Sequence, residues 1–107
     1  MKPRPTYNLD QAMHLVAKGD YLLTQKVVNW LLNHGYVASE TVEGVFESLV
    51  PDGFHKTISL DKRPGTNADI YYADYDGECW YVKFFVDDDG KSSVVDIWSC
   101  RLDGFPA

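Results

Sequence analysis

From Leu9 to Leu49 the apolar residues of this chain recur at steps of three and four, and from Phe54 onward at steps of two. The first rhythm belongs to helices that bury one face, the second to strands. Leu9, Ala12, Met13 and Val16 predict a helix in "LDQAMHLVAKG", with Asn8 as its N-cap, Gln11 as the capping-box partner and Gly19 as its end. Thr24 is placed to cap a second helix, "QKVVNWLLNHG", buried through Val27, Val28, Leu31 and Leu32 and stopped at Gly35, with His34 near its C-terminus. Ser39 is placed to cap a third, "ETVEGVFESL", whose stripe is Val42, Val45, Phe46 and Leu49. Glu40 and Glu43 fall in its first turns, where negative charge complements the helix dipole, and Pro51 follows its end.

Four strands follow: "FHKTISL", "DIYYADY", "CWYVKFFV" and "VVDIWSC". "DYDGE" and "DDDGK" read as hairpin turns, and "DKRPGTN" as a longer loop. Helices first and strands after predict one α+β domain over residues 1–107, with three helices packed on one face of an antiparallel sheet. Residues 1–5 and the tail from Asp103 are expected to fray. In "CWYVKFFV", Trp80, Val82, Phe84 and Val86 suit the covered face, and Cys79, Tyr81, Lys83 and Phe85 point the other way. A phenol, an amine and an aromatic ring on an open face read as a working surface. The plainer alternative is a solubilising Lys83 beside a half-buried Tyr81.

Composition narrows the classes. The 107 residues are 45% hydrophobic, enough for a core and against global disorder. No apolar run reaches the roughly 18 residues of a membrane span, and no hydrophobic leader precedes the first helix. A cytoplasmic, membrane-free protein is expected, with Cys79 and Cys100 as free thiols. The net charge of −6 argues against nucleic-acid binding by bulk charge. Its distribution is uneven, however. Residues 1–35 hold four Lys/Arg against two Asp/Glu, residues 36–66 three against five, and residues 67–107 three against nine. A local positive patch therefore remains open.

No His/Cys cluster has the spacing of a metal site, and "DDDG" at 87–90 has Phe85 where a calcium loop needs an acid. No metal or cofactor is expected. The stretch "GFHKTISLDKRPG" instead puts His55 and Lys56 side by side between hydrophobes, with Lys62 and Arg63 in the loop beyond. With Tyr81 and Lys83 they make a set suited to metal-free RNA cleavage. That reaction needs a base near the ribose 2′-OH, cations on the scissile phosphate and a donor for the leaving 5′-oxygen. Tyr71, Tyr72, Trp98 or Phe85 could stack splayed bases. Adjacent strand residues face opposite sides, so His55 and Lys56 share a site only where the strand is bulged.

These stretches also resemble a known family. "KPRPTYNLDQAMHLVAKGDYLLTQKV", "GFHKTISLDKRPGTNADIYYAD", "CWYVKFFV" and the closing "VVDIWSC" are similar, over nearly the whole chain, to the MqsR family of type II toxins. These are mRNA interferases of bacterial toxin–antitoxin systems. The resemblance implies a RelE-like fold with three helices, and a metal-independent endoribonuclease that arrests growth by cleaving mRNA. It implies neutralisation by a cognate antitoxin with a zinc-containing toxin-binding part and a helix-turn-helix DNA-binding part, so that DNA is met only through the complex.

Residue by residue, the family's catalytic lysine falls on Lys56, and its strand tyrosine on Tyr81, with Lys83 two residues on. The tyrosine before the lysine is His55 here, and the closing Ser-Phe-Lys is Ser99-Cys100-Arg101. The family's catalytic glutamine falls on Ala68, which cannot hydrogen-bond phosphate or ribose. The chain is also acidic where the family is usually basic. The resulting expectation is a catalytic set of Lys56, Tyr81 and His55, with Lys83, Lys62, Arg63, Tyr71 and Arg101 binding RNA. His55 is read either as a substitute base or as a packing replacement for tyrosine. The alternative function is a degenerate member that binds protein or RNA without cleaving.

Overall fold

The computed structural model describes residues 4–104, so the fraying expected of residues 1–3 and 105–107 lies outside the described residues. Its elements run α1 (Leu9–Ala17), β1 (Tyr21–Leu23), α2 (Gln25–Asn33), α3 (Ala38–Glu47), a 3-10 turn (Pro51–Gly53), β2 (Phe54–Ser59), β3 (Asn67–Tyr75), β4 (Glu78–Asp88) and β5 (Ser93–Leu102). The sheet order is β1-β5-β4-β3-β2. The chain is thus an α+β domain with its helices in the N-terminal half. β2 to β5 form the expected antiparallel meander. β1, which the hydrophobic rhythm does not announce, adds a parallel edge, with Tyr21 opposite Val95 and Leu23 opposite Ile97.

The caps explain where helices start. Asn8 accepts the Gln11 amide at 2.9 Å, and Thr24 accepts the Val27 amide at 3.4 Å. α3 departs from expectation: it begins at Ala38 behind Val37, with no side-chain cap, and Ser39 lies inside its first turn. α2 also departs. It buries Val27, Trp30 and Leu31, while Leu32 is 63% exposed. The run "VVNWLL" is apolar on two adjacent stripes, and the large Trp30 ring takes the inward one. Trp30 meets Trp80 edge-on at 6.0 Å and stacks on His34 at 4.0 Å.

The main core lies between the helices and one sheet face. It joins Ala12, Leu15, Val16, Val42, Val45 and Phe46 to Tyr71, Trp80, Val82, Phe84, Val95 and Ile97. β3 and β4 join through a tight turn in which Asp76 and Gly77 both have positive φ, 54° and 75°, the signature of a hairpin turn that matches strand twist. The N-terminal segment is tied to β3 by a carboxylate. Buried Asp69 accepts the amides of Thr6 and Tyr7, each at 2.9 Å, and the Thr57 hydroxyl at 2.6 Å. At the other end, Asp103 is still held by its amide on the Cys79 carbonyl at 2.9 Å. Both cysteines are free thiols, Cys79 exposed and Cys100 buried, and burial pushes the Cys100 thiol up to about 12.

Candidate nucleic-acid interface

The opposite sheet face carries the candidate chemistry, and register builds it in rows. Residues directly opposite one another in antiparallel strands point to the same side. One row runs Lys56–Ile70–Lys83–Ser99 across β2 to β5. A second runs Tyr72–Tyr81–Arg101. A third brings Ile58 opposite Ala68 and Phe85 opposite Asp96. Successive rows lie two residues apart along β3 and β4, about 7 Å.

Two bulges shape this face. Phe54 pairs with Tyr71 and Lys56 with Ile70, so His55 is the extra residue on β2. Its ring lies 5.2 Å from that of Tyr72, on the open face. His55 and Lys56 therefore share one side of the sheet, the condition adjacent strand residues meet only at a bulge. Gly53 allows this approach, because a Cβ there would run into the Tyr72 carbonyl oxygen. The second bulge is on β5, where Ser99 pairs with Lys83 and Ile97 with Phe84. Trp98 is the extra residue, and its half-buried ring packs 6.1 Å from Phe85.

The electrostatics follow from these placements. The Arg101 guanidinium lies 4.2 Å from the centroid of the Tyr81 ring. Its Nε is buried without a hydrogen-bond partner. Burial raises the Tyr81 hydroxyl above its ordinary range, against the pull of Arg101, so it remains a proton donor at neutral pH. Burial also lowers the Lys83 ammonium, and two neighbouring cations, Lys26 and Arg101, lower it further. Among the described residues, none of Lys26, Lys56, Lys62, Lys83 and Arg101 has a carboxylate within ion-pair distance; the ion pair formed is Lys18–Asp20, at 3.2 Å.

The structure thus gathers His55, Lys56, Tyr81, Lys83 and Arg101 on one face. Lys62 lies at the border of that face, beside Lys83. Arg63 covers Phe85, its guanidinium 4.8 Å from the ring centroid. Tyr71 is corrected: it is 1% exposed on the helix-covered face, stacked on Phe84 at 5.8 Å and edge-on to Phe54 at 5.5 Å. Burial, with Asp69 adding to it, pushes its hydroxyl up to about 12. No base can reach it; its neighbour Tyr72 takes the open side. Phe85, expected on an open surface, does face that way but is buried with Leu60 and Ala68 in a second small core that Ile58, Tyr7 and Trp98 complete.

Lys26 is the residue that sequence reading missed. A signal was available: it is a cation in the first turn of α2, the end where a helix dipole disfavours positive charge, and that turn has no acid. No protein-family model and no curated protein matches the chain.

Proposed function

We propose that this chain is a metal-independent endoribonuclease that cleaves single-stranded mRNA, acting as the toxin of a type II toxin–antitoxin pair. The observation that carries the reading is the cation set on the open face. In a chain of net charge −6, Lys56, Lys83 and Arg101 share this face with no carboxylate paired to them among the described residues. Unpaired like charges raise the energy of the free protein, and a polyanion relieves them.

The chemistry that fits is attack of a ribose 2′-oxygen on the adjacent phosphorus. Lys56 and Lys83 flank the phosphate and stabilise the charge that builds on it. His55, one residue from Lys56 and on the same side, takes the 2′-OH proton. The P–O5′ bond breaks, and the protonated Tyr81 hydroxyl supplies the proton that the 5′-oxygen takes up. The products are a 2′,3′-cyclic phosphate and a free 5′-hydroxyl.

The resemblance to MqsR toxins supports the same reading and implies a cytoplasmic site of action and a cognate antitoxin, zinc-containing and DNA-binding, as partner. The test is incubation of purified protein with single-stranded RNA in excess EDTA, with end-group analysis. Strict magnesium dependence, or 5′-phosphate products, would rule the mechanism out.

One observation favours a second reading, a binding module that keeps the fold without cleaving. Ala68, where the family has its glutamine, is fully buried under Leu60 and Phe85. RNA that binds in EDTA but stays intact, in vitro and after induced expression, would select this second reading.

A further inference from the structure

Beside the Lys56–Lys83 row the open face is not flat. A hollow of about 420 Å³ opens between the start of α2, the loop after β2 and the bulged part of β5. Lys26, Lys62 and Lys83 line it, against one carboxylate, Asp61. Its apolar wall is Ile58 and the indole of Trp98. The volume falls within the roughly 300–1,000 Å³ of small-molecule sites.

Three independent features distinguish it from a solvated patch of charge. The Thr24 amide donates to the Ile97 carbonyl at 3.3 Å, which fixes the first turn of α2 against β5. Lys26 stands in that turn, against the helix dipole and close enough to Lys83 to lower its ammonium. The β5 bulge places Trp98 on the open face, where its ring lines the cavity instead of continuing the pleat. A cation against a dipole and three amines with one acid cost stability in the free protein, and the re-aimed ring of Trp98 stands beside them. Together they form the combination that binds a single-stranded nucleotide: charge for the phosphate and a flat ring for the base.

We propose that this hollow is a nucleotide subsite, holding the nucleotide next to the cleaved linkage with its phosphate between Lys26 and Lys62 and its base against Trp98, while Lys83 borders the cleaved phosphate. The proposal rests on reading the open face as an RNA surface. It adds that substrate selection lies here, beyond His55, Lys56, Tyr81 and Lys83, the groups that act on the cleaved linkage.

The experiment uses a short RNA with 2′-O-methyl on every ribose, which cannot be cleaved by 2′-oxygen attack. Binding is measured by fluorescence anisotropy across a salt series, in parallel with cleavage of the unmodified RNA. Lys26→Gln and Lys62→Gln should each weaken binding about three- to tenfold and reduce the salt slope by about 0.7. Trp98→Ala should weaken it about tenfold, and Trp98→Phe much less. Lys26→Gln should also raise the unfolding midpoint by roughly 2–4 °C, since it removes a cation from the wrong end of a helix.

Wild-type affinity and salt slope in both lysine variants, with cleavage still lost in Lys56→Ala, would overturn the subsite and leave the nuclease reading standing. Affinity lost in the variants while wild type binds RNA without cutting it would support the subsite and overturn the catalytic reading. No binding by the wild-type protein would overturn both.

Discussion

Lys56 and Lys83 stand on either side of Ile70, each directly opposite it in the register of β3. Their backbones are two strand spacings apart, about 10 Å, and both side chains rise from the same face. Ile70 is 1% exposed between them and leaves no competing polar group. A phosphate resting over Ile70 would lie between the two strands that carry these amines.

Lys56 is exposed on the outer strand β2 and has no ion-pair partner among the described residues. Lys56→Ala should therefore leave the thermal midpoint within about 1 °C of wild type, as surface changes without partners do. Cleavage should fall about a hundredfold, the loss expected when one preorganised contact to the transition state is removed. A large drop in midpoint would make the lysine structural. Unchanged cleavage would remove it from the site.

The alkaline side of the pH–rate profile separates two roles. Burial holds the Tyr81 hydroxyl above its ordinary value, so loss of a Tyr81 proton donor should begin at higher pH than for an exposed tyrosine. Burial, Lys26 and Arg101 hold Lys83 below its ordinary value, so loss of a required Lys83 charge begins at lower pH than for an exposed lysine. Tyr81→Phe should abolish a tyrosine limb and leave a lysine limb in place. Lys26→Gln removes one of the cations acting on Lys83, so the lysine limb should move to higher pH. A limb indifferent to both substitutions belongs to neither group.

How far the sequence reveals all this depends on how local each determinant is. The inward set Trp80, Val82 and Phe84 is legible because alternation within one strand defines it. The meander is legible because its turns carry their own chemistry, as at Asp76-Gly77. β1 is not legible: its three residues have no rhythm, and their partner Val95 lies far along the chain. The choice between Tyr71 and Tyr72 needs the register against β4, where Tyr72 meets Tyr81. Both bulges are mismatches between paired strands, so neither strand alone announces that His55 or Trp98 will turn to the open face. The roles of the face residues rest on resemblance and chemistry; the structure supplies their proximity.

Asp69 offers a stability test that leaves the cation face intact. Its two oxygens accept from the Thr6 amide, the Tyr7 amide and the Thr57 hydroxyl. Asp69→Asn replaces one of those acceptors with a donor that opposes a buried donor. The expected cost is about 2 kcal/mol, or a midpoint lower by roughly 10 °C. Calorimetry checks it, and at temperatures well below the new midpoint cleavage should fall less than threefold. A neutral substitution would mean that the N-terminal segment is not held by this carboxylate.

Ala68→Gln introduces the residue that the resembling toxins carry. In this chain the position opposes Ile58 and is fully buried with Leu60 and Phe85. The longer side chain must overpack that small core, and its amide has no partner there. We expect a loss of about 2–4 kcal/mol in denaturant unfolding and no gain in cleavage. Enhanced cleavage with stability retained would show that the loop carrying Leu60 opens, and that the second core is not closed during the reaction.

His55 decides whether this face cuts RNA by a route of its own. The β2 bulge puts its ring on the open side, 5.2 Å from Tyr72 and one residue from Lys56. A packing residue and a base make different predictions there. An exposed imidazole that only packs on Tyr72 can be exchanged for tyrosine, which stacks as well and keeps a polar tip. An imidazole that accepts the 2′-OH proton must be neutral when the reaction starts, so protonation in acid removes it. Wild-type cleavage should then fall on the acid side of its optimum. His55→Tyr should lose that acid limb along with about a hundredfold in rate, while affinity for the 2′-O-methyl RNA stays within about threefold. An acid limb unchanged in His55→Tyr, with cleavage at the wild-type level, would confine His55 to packing and leave the proton of the 2′-OH to another group on the face.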